Sequence, residues 1–453
     1  MTGSAIAVIG AGWAGATVAR LLHDAGYEAA VFERDRVLGG HSRSEMINGV
    51  MYEPNGPHIF HTSNGRVAEF VQAHGMRKTH EHHVLTEIFL DDDDETPVIL
   101  SWPPQMDELR GLRIWPQVER ELAQLPAEPA RDNLEAYCLS IMGPTLYRLF
   151  VQDYSRKQWG RDPTDLSYAF GPKRLGLRTD GKRRYFTDPW EFFPPAGAQE
   201  IIENIVRPIP LTLGADLTVT DLQKLEDDYQ AVVITAALDD FVGRPGELEW
   251  RGVHTVSRYI PLEDQNATVT PAYVVNRPSR RHPYTRTVET KHATRQPAPG
   301  TVVSAEYPGS PARHYPVPTV DSRNEQHNLL LQDEIRRASP IPVFFCGRLA
   351  NYVYINQDEA ISQGMVCAAE VSALARSSLS AQTLGIPSSS PRVLEGRHEV
   401  STDWGHGGAH SFCESSGGVL SADNDATCDH HAGRIFEVSL SRYLGGLYRS
   451  ADQ

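Results

Sequence analysis

The segment AVIGAGWAGATVARLLHDAGYEAAVFERDRVLGG near the start of the chain admits few folds. An apolar run, Ala5 to Ile9, passes straight into Gly10-x-Gly12-x-x-Gly15. A helical stretch then ends near Ala25-Gly26, and a second β-type run, Glu28 to Glu33, closes on an acid. That order is a βαβ unit. The glycines permit the tight turn, close backbone approach to a pyrophosphate and close helix packing, while the helix N-terminus faces the anion. Gly10, Gly12, Trp13, Ala14 and Gly15 become candidate cofactor contacts, and Glu33 is placed to accept from a ribose hydroxyl. The bland alternative is a glycine-rich turn in an unrelated α/β domain, but the strand, helix, acid and trailing Gly39-Gly40 all fall in register.

The chain has 453 residues, more than one small core needs, so two or three domains are expected. No apolar run approaches the ~18 residues that span a bilayer. A soluble protein with no membrane partner is expected, and MTGSAIAVIG carries no basic n-region, so a cytoplasmic location is expected too. Cys138, Cys346, Cys367, Cys413 and Cys428 are few, odd in number and spread out, which fits free thiols in a reducing compartment. The formal charge of -15 argues against nucleic-acid binding, because neutralising phosphates along a duplex needs a basic surface.

Hydrophobic patterning divides the rest. Stretches from about Glu108 to Gln199 are helical and rich in Leu, Tyr and Arg, a helical insertion. Between about Val253 and Arg313, VHTVSRYIPL, TPAYVVN, YTRTVETK and GTVVSAEYP read as strands of an antiparallel sheet. AVVITAA (231–237) and PVFFCG (342–347) suit buried parallel strands that return to the first domain. The predicted class is α/β: a Rossmann-type dinucleotide-binding domain (1–78 with 196–245 and 335–377), a helical domain (105–195), an antiparallel β-sheet domain (79–104 with 246–334) and a C-terminal tail (378–453). In the tail only GRIFEVSLSRYLGGLYR is patterned as an amphipathic helix. The acidic run DDDDE (91–95) reads as a solvated hairpin tip.

Gly39-Gly40 behind Glu33 resembles FAD proteins of the glutathione-reductase-like superfamily and points to FAD over NAD. CGRLANYVYINQDEAISQG (346–364) agrees, with Arg348 behind a buried strand and a helix opening near Gln357, whose N-terminus suits negative charge on a reduced flavin.

YSRKQWG (154–160) crowds cations between two aromatic residues, Phe150 lies one helical turn before Tyr154, and such rings can flank a base. Arg and Tyr at 174, 185, 286, 315 and 354 could supply donors for two phosphates. Taken in order, GPHIFHT (56–62), YSRKQWG, KRLGLR with RRYFTD (173–188), HPYTR (282–286), HYPV (314–317) and GRLANYVYIN (347–356) resemble the UDP-galactopyranose mutase family across about residues 5 to 375. The resemblance implies an isomerase of carbohydrate biosynthesis that interconverts pyranose and furanose forms of a nucleotide sugar. It also implies that reduced FAD attacks the anomeric carbon through N5 and expels the nucleoside diphosphate, with NAD(P)H or another donor as reductant. A homodimer is expected. Phe150, Tyr154, Ser155, Trp159, Arg174, Tyr185, Asn276, Arg286, Tyr315 and Tyr354 would hold the substrate, with Arg174 on a loop that closes over it. Arg174, Arg286, His61 and Asn356 would act in the reaction. Arg34, Gly40, His41, His58, Ile59, Leu217, Arg348, Asn356, Gln357 and Asp358 would join the cofactor contacts.

Taken singly, Trp159 and Phe150 would be core aromatics; the ordered set overturns that. His58 and His61 lack the carboxylate or third histidine usual for a metal, so packing beside the flavin is favoured and no metal is expected. His80, His82 and His83 read as sheet residues. His406, His410, Cys413, Cys428, His430 and His431 could form a zinc site, but their spacing is irregular and a disordered tail is the plainer reading. The chain departs from the family where Asn356 replaces the usual Asp and His83 the usual Arg, and in LSWPPQ (100–105). The sugar is therefore left open between UDP-galactose and a GDP- or dTDP-linked relative. A redox flavoenzyme of the amine-oxidase type and a non-catalytic nucleotide-sugar binding protein are the alternatives.

Overall fold

The computed structural model describes residues 5–172 and 174–383. The chain opens with β1 (Ala5–Ile9), α1 (Trp13–Asp24) and β2 (Ala29–Glu33). Gly10 sits at φ +103°, and a Cβ on Gly15 would lie 2.0 Å from the Gly10 carbonyl oxygen, so both positions require glycine. A hairpin of β3 (Glu45–Ile47) and β4 (Val50–Tyr52), then β5 (Phe60–Thr62) and α2 (Gly65–Ala73), lead to a second hairpin, β6 (Val84–Ile88) and β7 (Val98–Trp102). The helical stretch follows as α3 (Met106–Arg110), α4 (Trp115–Leu122), α5 (Leu134–Leu146), a π-helical turn at Tyr147–Gln152 and α6 (Asp153–Trp159). Gly160, left-handed at φ 57°, ends α6. After a largely irregular segment come β8 (Trp190–Phe192), α7 (Ala198–Val206), β9 (Leu211–Leu213), α8 (Leu222–Leu225), β10 (Tyr229–Ile234) and α9 (Leu238–Phe241). The chain then runs through β11 (Trp250–Pro261), β12 (Val274–Asn276), β13 (Arg286–Val288), α10 (Lys291–Thr294) and β14 (Gly300–Pro316). It closes with α11 (Arg323–Ala338), β15 (Val343–Phe345), α12 (Gly347–Ala350) and α13 (Gln357–Thr383).

Five strands form a parallel sheet in the order β15-β10-β1-β2-β9. Its two faces bury separate cores. Leu22, Ile201, Ile205, Ile361 and Val371 pack on one, and Leu222, Leu238, Leu331, Ile335 and Tyr352 on the other. This is the layered arrangement that buries both faces of a parallel sheet. Leu331 and Ile335 belong to α11, so that helix joins the nucleotide-binding domain, although residues up to 334 were expected in the sheet domain.

The second sheet has the order β11-β14-β13-β12-β6-β7. It is antiparallel as expected except at β12 and β6, which pair in parallel. β6 precedes the helical stretch and β12 follows it, so no tight turn forces the pair to be antiparallel. The DDDDE run lies at the β6–β7 hairpin tip, where Arg113 pairs with Asp91 and Asp94. The C-terminal histidine and cysteine set and GRIFEVSLSRYLGGLYR lie outside the described residues.

Candidate active site

The glycine turn after β1 and the loops that leave the C-terminal ends of β2 and β10 line a cavity of about 750 Å³ between the two sheets. Gly10, Gly12, Trp13, Ala14, Glu33, Arg34, Gly40, His41, His58, Ile59, Leu217, Arg348, Asn356 and Gln357, all expected at the cofactor, line it. Gly15 does not; it works beneath the loop, against Gly10. Asp358 does not either, being a half-buried acid beside His61 and Thr62 whose pKa desolvation pushes up. Glu33 holds the loop by accepting from the Ala11 N–H at 2.7 Å and the Asp35 N–H at 2.9 Å, and it still lines the cavity, where a ribose hydroxyl can reach it. The volume, the glycine cradle and this placed acid fit a dinucleotide. Asn356 opens α13, its carbonyl accepting from the Ala360 N–H and its N–H donating to Glu359 at 2.9 Å.

Imidazoles make much of the cavity wall. His41 and His314 stack with centroids 4.3 Å apart, and burial followed by neighbouring cations lowers both. His314 Nδ1 accepts from the Val253 N–H at 3.2 Å, which leaves its proton on Nε2. His61 stacks on Phe186 at 3.7 Å, and its Nδ1 lies 2.8 Å from Asp188. His61 and Asp188 are both buried, so the carboxylate holds the proton on Nδ1 and any exchange must use Nε2. His83, singled out as a departure near flavin and sugar, lies away from the cavity and pairs with Glu81 at 2.9 Å. Its neighbour His82 lines the cavity instead, among Tyr185, Phe186 and Tyr273.

A second, tighter cavity of about 70 Å³ adjoins the helical stretch. It brings together Phe150, Tyr154, Ser155, Trp159, Arg174, Tyr185, Asn276 and Arg286, eight of the ten expected substrate residues, with Trp102, Gln158 and Phe170. Phe150 falls in the π-helical turn, so it does not stack one regular turn before Tyr154; its ring faces Trp102 at 5.9 Å. Tyr315 lines the larger cavity, and Tyr354 stands between the two, against Tyr315 at 5.4 Å and Trp159 at 5.9 Å. Arg174 folds inward over the Tyr354 ring and is 8% exposed.

Register on the second sheet explains Arg286. Asn276, Arg286 and Glu306 face one another across β12, β13 and β14. Arg286 Nε donates to Glu306 at 2.6 Å, so the expected phosphate cation arrives with a buried counter-charge. Nothing in residue spacing announces Glu306, Asp188 or His82; each is brought in by strand register or by a distant loop.

Residues 149–354 match the family model described as UDP-galactopyranose mutase, a span that reaches from the second cavity to Tyr354. A dTDP-fucopyranose mutase of Escherichia coli is 25% identical over 381 residues, covering 80% of this chain and 97% of its own. A probable UDP-galactopyranose mutase of Klebsiella pneumoniae is 26% identical, covering 82% and 95%.

Over this span the chain is similar to the UDP-galactopyranose mutase family.

Both of these relatives are named as mutases, a class of isomerase. Residues 8–73 also match an NAD(P)-binding Rossmann-like domain. The fold is shared with a crystal structure of reduced UDP-galactopyranose mutase at TM-score 0.63 and 16% identity, covering 82% of this chain and 96% of that one. A putative protoporphyrinogen oxidase from Exiguobacterium has the same fold at TM-score 0.59, so the fold alone does not choose between mutase and oxidase. Among the described residues no cluster of three or more His, Cys, Asp or Glu is arranged to hold a metal, and no helix is long and apolar enough to cross a membrane.

Proposed function

We propose that the protein interconverts the pyranose and furanose forms of a nucleoside-diphosphate hexose, with reduced FAD in the larger cavity and the nucleotide in the smaller. The observation that carries this reading is the junction of the two cavities. Tyr354 touches Tyr315 on the cofactor side and lies under Arg174 on the nucleotide side, so a sugar whose diphosphate is held by Arg174 reaches the cofactor.

Ring contraction changes no oxidation state, and when bound, reduced FAD supplies a nucleophile for the anomeric carbon. The chain does the rest by positioning and electrostatics. Phe150, Tyr154 and Trp159 form the aromatic wall for the base. Arg174, Arg286, Tyr185, Tyr315 and Tyr354 present donors to the diphosphate and stabilise the charge that collects on it as it departs. His61, with Nδ1 tied to Asp188, offers Nε2 for a proton of the opening sugar. The cavity of about 70 Å³ is too small for a nucleoside diphosphate while Arg174 is folded in, so the Arg174 segment moves outward to admit substrate and back to exclude water. Asn356, neutral where the family usually has Asp, removes a carboxylate from the cofactor wall and suits a sugar other than galactose. The Escherichia coli relative, named for a dTDP-linked sugar, supports testing beyond UDP. NAD(P)H or another donor reduces the flavin, and the protein works in the cytoplasm.

The test is an anaerobic assay of reduced and oxidised protein against UDP-, GDP- and dTDP-hexoses, with products separated by chromatography and assigned by NMR. A furanose of equal mass made only by reduced protein is expected. Unchanged sugars together with substrate-dependent flavin reduction would replace the mutase with a redox enzyme.

A further inference from the structure

The cations of YSRKQWG do not line either cavity. Arg156 turns outward to Asp162 at 2.7 Å. Lys157 turns to the loop between β12 and β13, where its Nζ donates to the carbonyls of Arg277 at 2.5 Å, Ser279 at 2.9 Å, and His282 and Tyr284 at 3.0 Å. An ammonium has three hydrogens, so four acceptors gathered round it share them, and the loop is wrapped on one atom. That loop leaves β12 just after Asn276 and enters β13 just before Arg286, both in the second cavity. On α6, Lys157 stands between Ser155 and Gln158, which line the opposite wall. Other contacts brace the same junction: His282 reaches Glu87 at 2.9 Å, and Arg251 donates to the Gln158 carbonyl at 3.0 Å.

We propose that Lys157 is a positioning residue that sets the separation of the two walls of this cavity, and with it the alignment of the base-binding wall on α6 with the phosphate-binding wall on β12 and β13. The proposal rests on the reading that the cavity takes a nucleotide. A ligand that spans both walls depends on Lys157, whereas one that meets the α6 wall alone does not. An apolar side chain removes the donor that these four carbonyls share, and an amide brings only two hydrogens.

The experiment measures binding of UDP and dTDP, and of uridine and thymidine, to full-length wild type and K157M by calorimetry and competition. In K157M the diphosphates are expected to weaken by about tenfold or more, while the nucleosides stay within about twofold and the visible spectrum of bound flavin is unchanged. Equal weakening of nucleoside and diphosphate, or no weakening of either, overturns the proposal. If K157M does not fold, K157Q takes its place. If neither folds, Lys157 is a folding residue and the proposal fails. Wild type that binds neither UDP nor dTDP would remove the nucleotide reading itself, and this inference with it.

Discussion

Arg174 lies over the ring of Tyr354, its guanidinium carbon 3.7 Å from the centroid, and donates Nη1 to the Tyr354 hydroxyl at 3.0 Å. The ring supplies a face for the planar cation and the hydroxyl fixes its rotation, so one residue of the GRLANYVYIN segment holds the Arg174 segment in its inward position. Y354F keeps the ring and removes the acceptor. Its kcat/KM is expected to fall about tenfold, the worth of one hydrogen bond, and that of R174A about a hundredfold. Steady-state rates with the substrate from the assay above decide it, and a Y354F rate equal to wild type would free Tyr354 from this role.

Two glycines of the fingerprint serve different masters. A Cβ on Gly15 would strike the Gly10 carbonyl oxygen at 2.0 Å, whereas one on Gly12 meets nothing within 4 Å. Gly12 also has φ -81°, open to any residue. G12A is therefore expected to fold with an unchanged melting temperature and to lose cofactor affinity by about tenfold or more, because its methyl points to where the pyrophosphate passes. G15A is expected to lose about 1–3 kcal/mol of stability through overpacking, with or without cofactor. Thermal melts and flavin titration separate them; a G12A protein with wild-type flavin affinity would move the pyrophosphate off this loop.

The contrast shows which features are legible in a sequence. Gly10 to Glu33 could be read because its spacing is local: a turn, a helix and an acid within one βαβ unit. Trp159, Arg174 and Tyr354 could be read as a set through ordered motifs, although their meeting point is tertiary. Glu306 could not, because it faces Arg286 only through the β13–β14 register, and two strands joined by an 11-residue connection admit many registers before the core chooses one. Asp188 reaches His61 across 127 positions of chain, and no local pattern marks that. His83 was the attractive departure and His82 the residue in the wall, because a strand edge turns neighbours to opposite sides and spacing alone does not say which faces in.

Acid should weaken the fold through His314. Burial, then Arg348 and His58, push this ring from the ordinary 6.5 to about 3, and its Nδ1 must stay unprotonated to accept from Val253. The unfolded chain takes up the proton near 6.5 while the folded chain resists until about 3, so between those values the unfolded state binds more protons and stability falls as pH falls. Above 6.5 the group costs nothing. At pH 5, about 1.5 units below the free value, the loss is about 2 kcal/mol at ~1.4 kcal/mol per unit. H314N keeps an acceptor near the Nδ1 position and does not titrate, so its urea-unfolding stability should drop less between pH 7.5 and 5 by about that amount. Parallel pH profiles for the two proteins would assign the acid sensitivity elsewhere.

Arg286 and Glu306 are each 2% exposed and paired at 2.6 Å, so charge removal on one side strands the other in the core. R286M alone is expected to cost about 3–5 kcal/mol of stability, and E306Q alone to cost a comparable amount, because a lone buried charge is left in each. The double variant R286M/E306Q carries neither charge and should recover most of that loss, giving a coupling energy that a four-protein cycle measures directly. Turnover should not recover with it. If Arg286 meets the diphosphate, R286M and R286M/E306Q both lose kcat/KM by about a hundredfold while bound flavin, read from visible absorbance, is retained. Unfolding midpoints that are additive across the cycle would deny the ion pair its role in stability, and a double variant that turns over at the wild-type rate would take Arg286 out of the reaction.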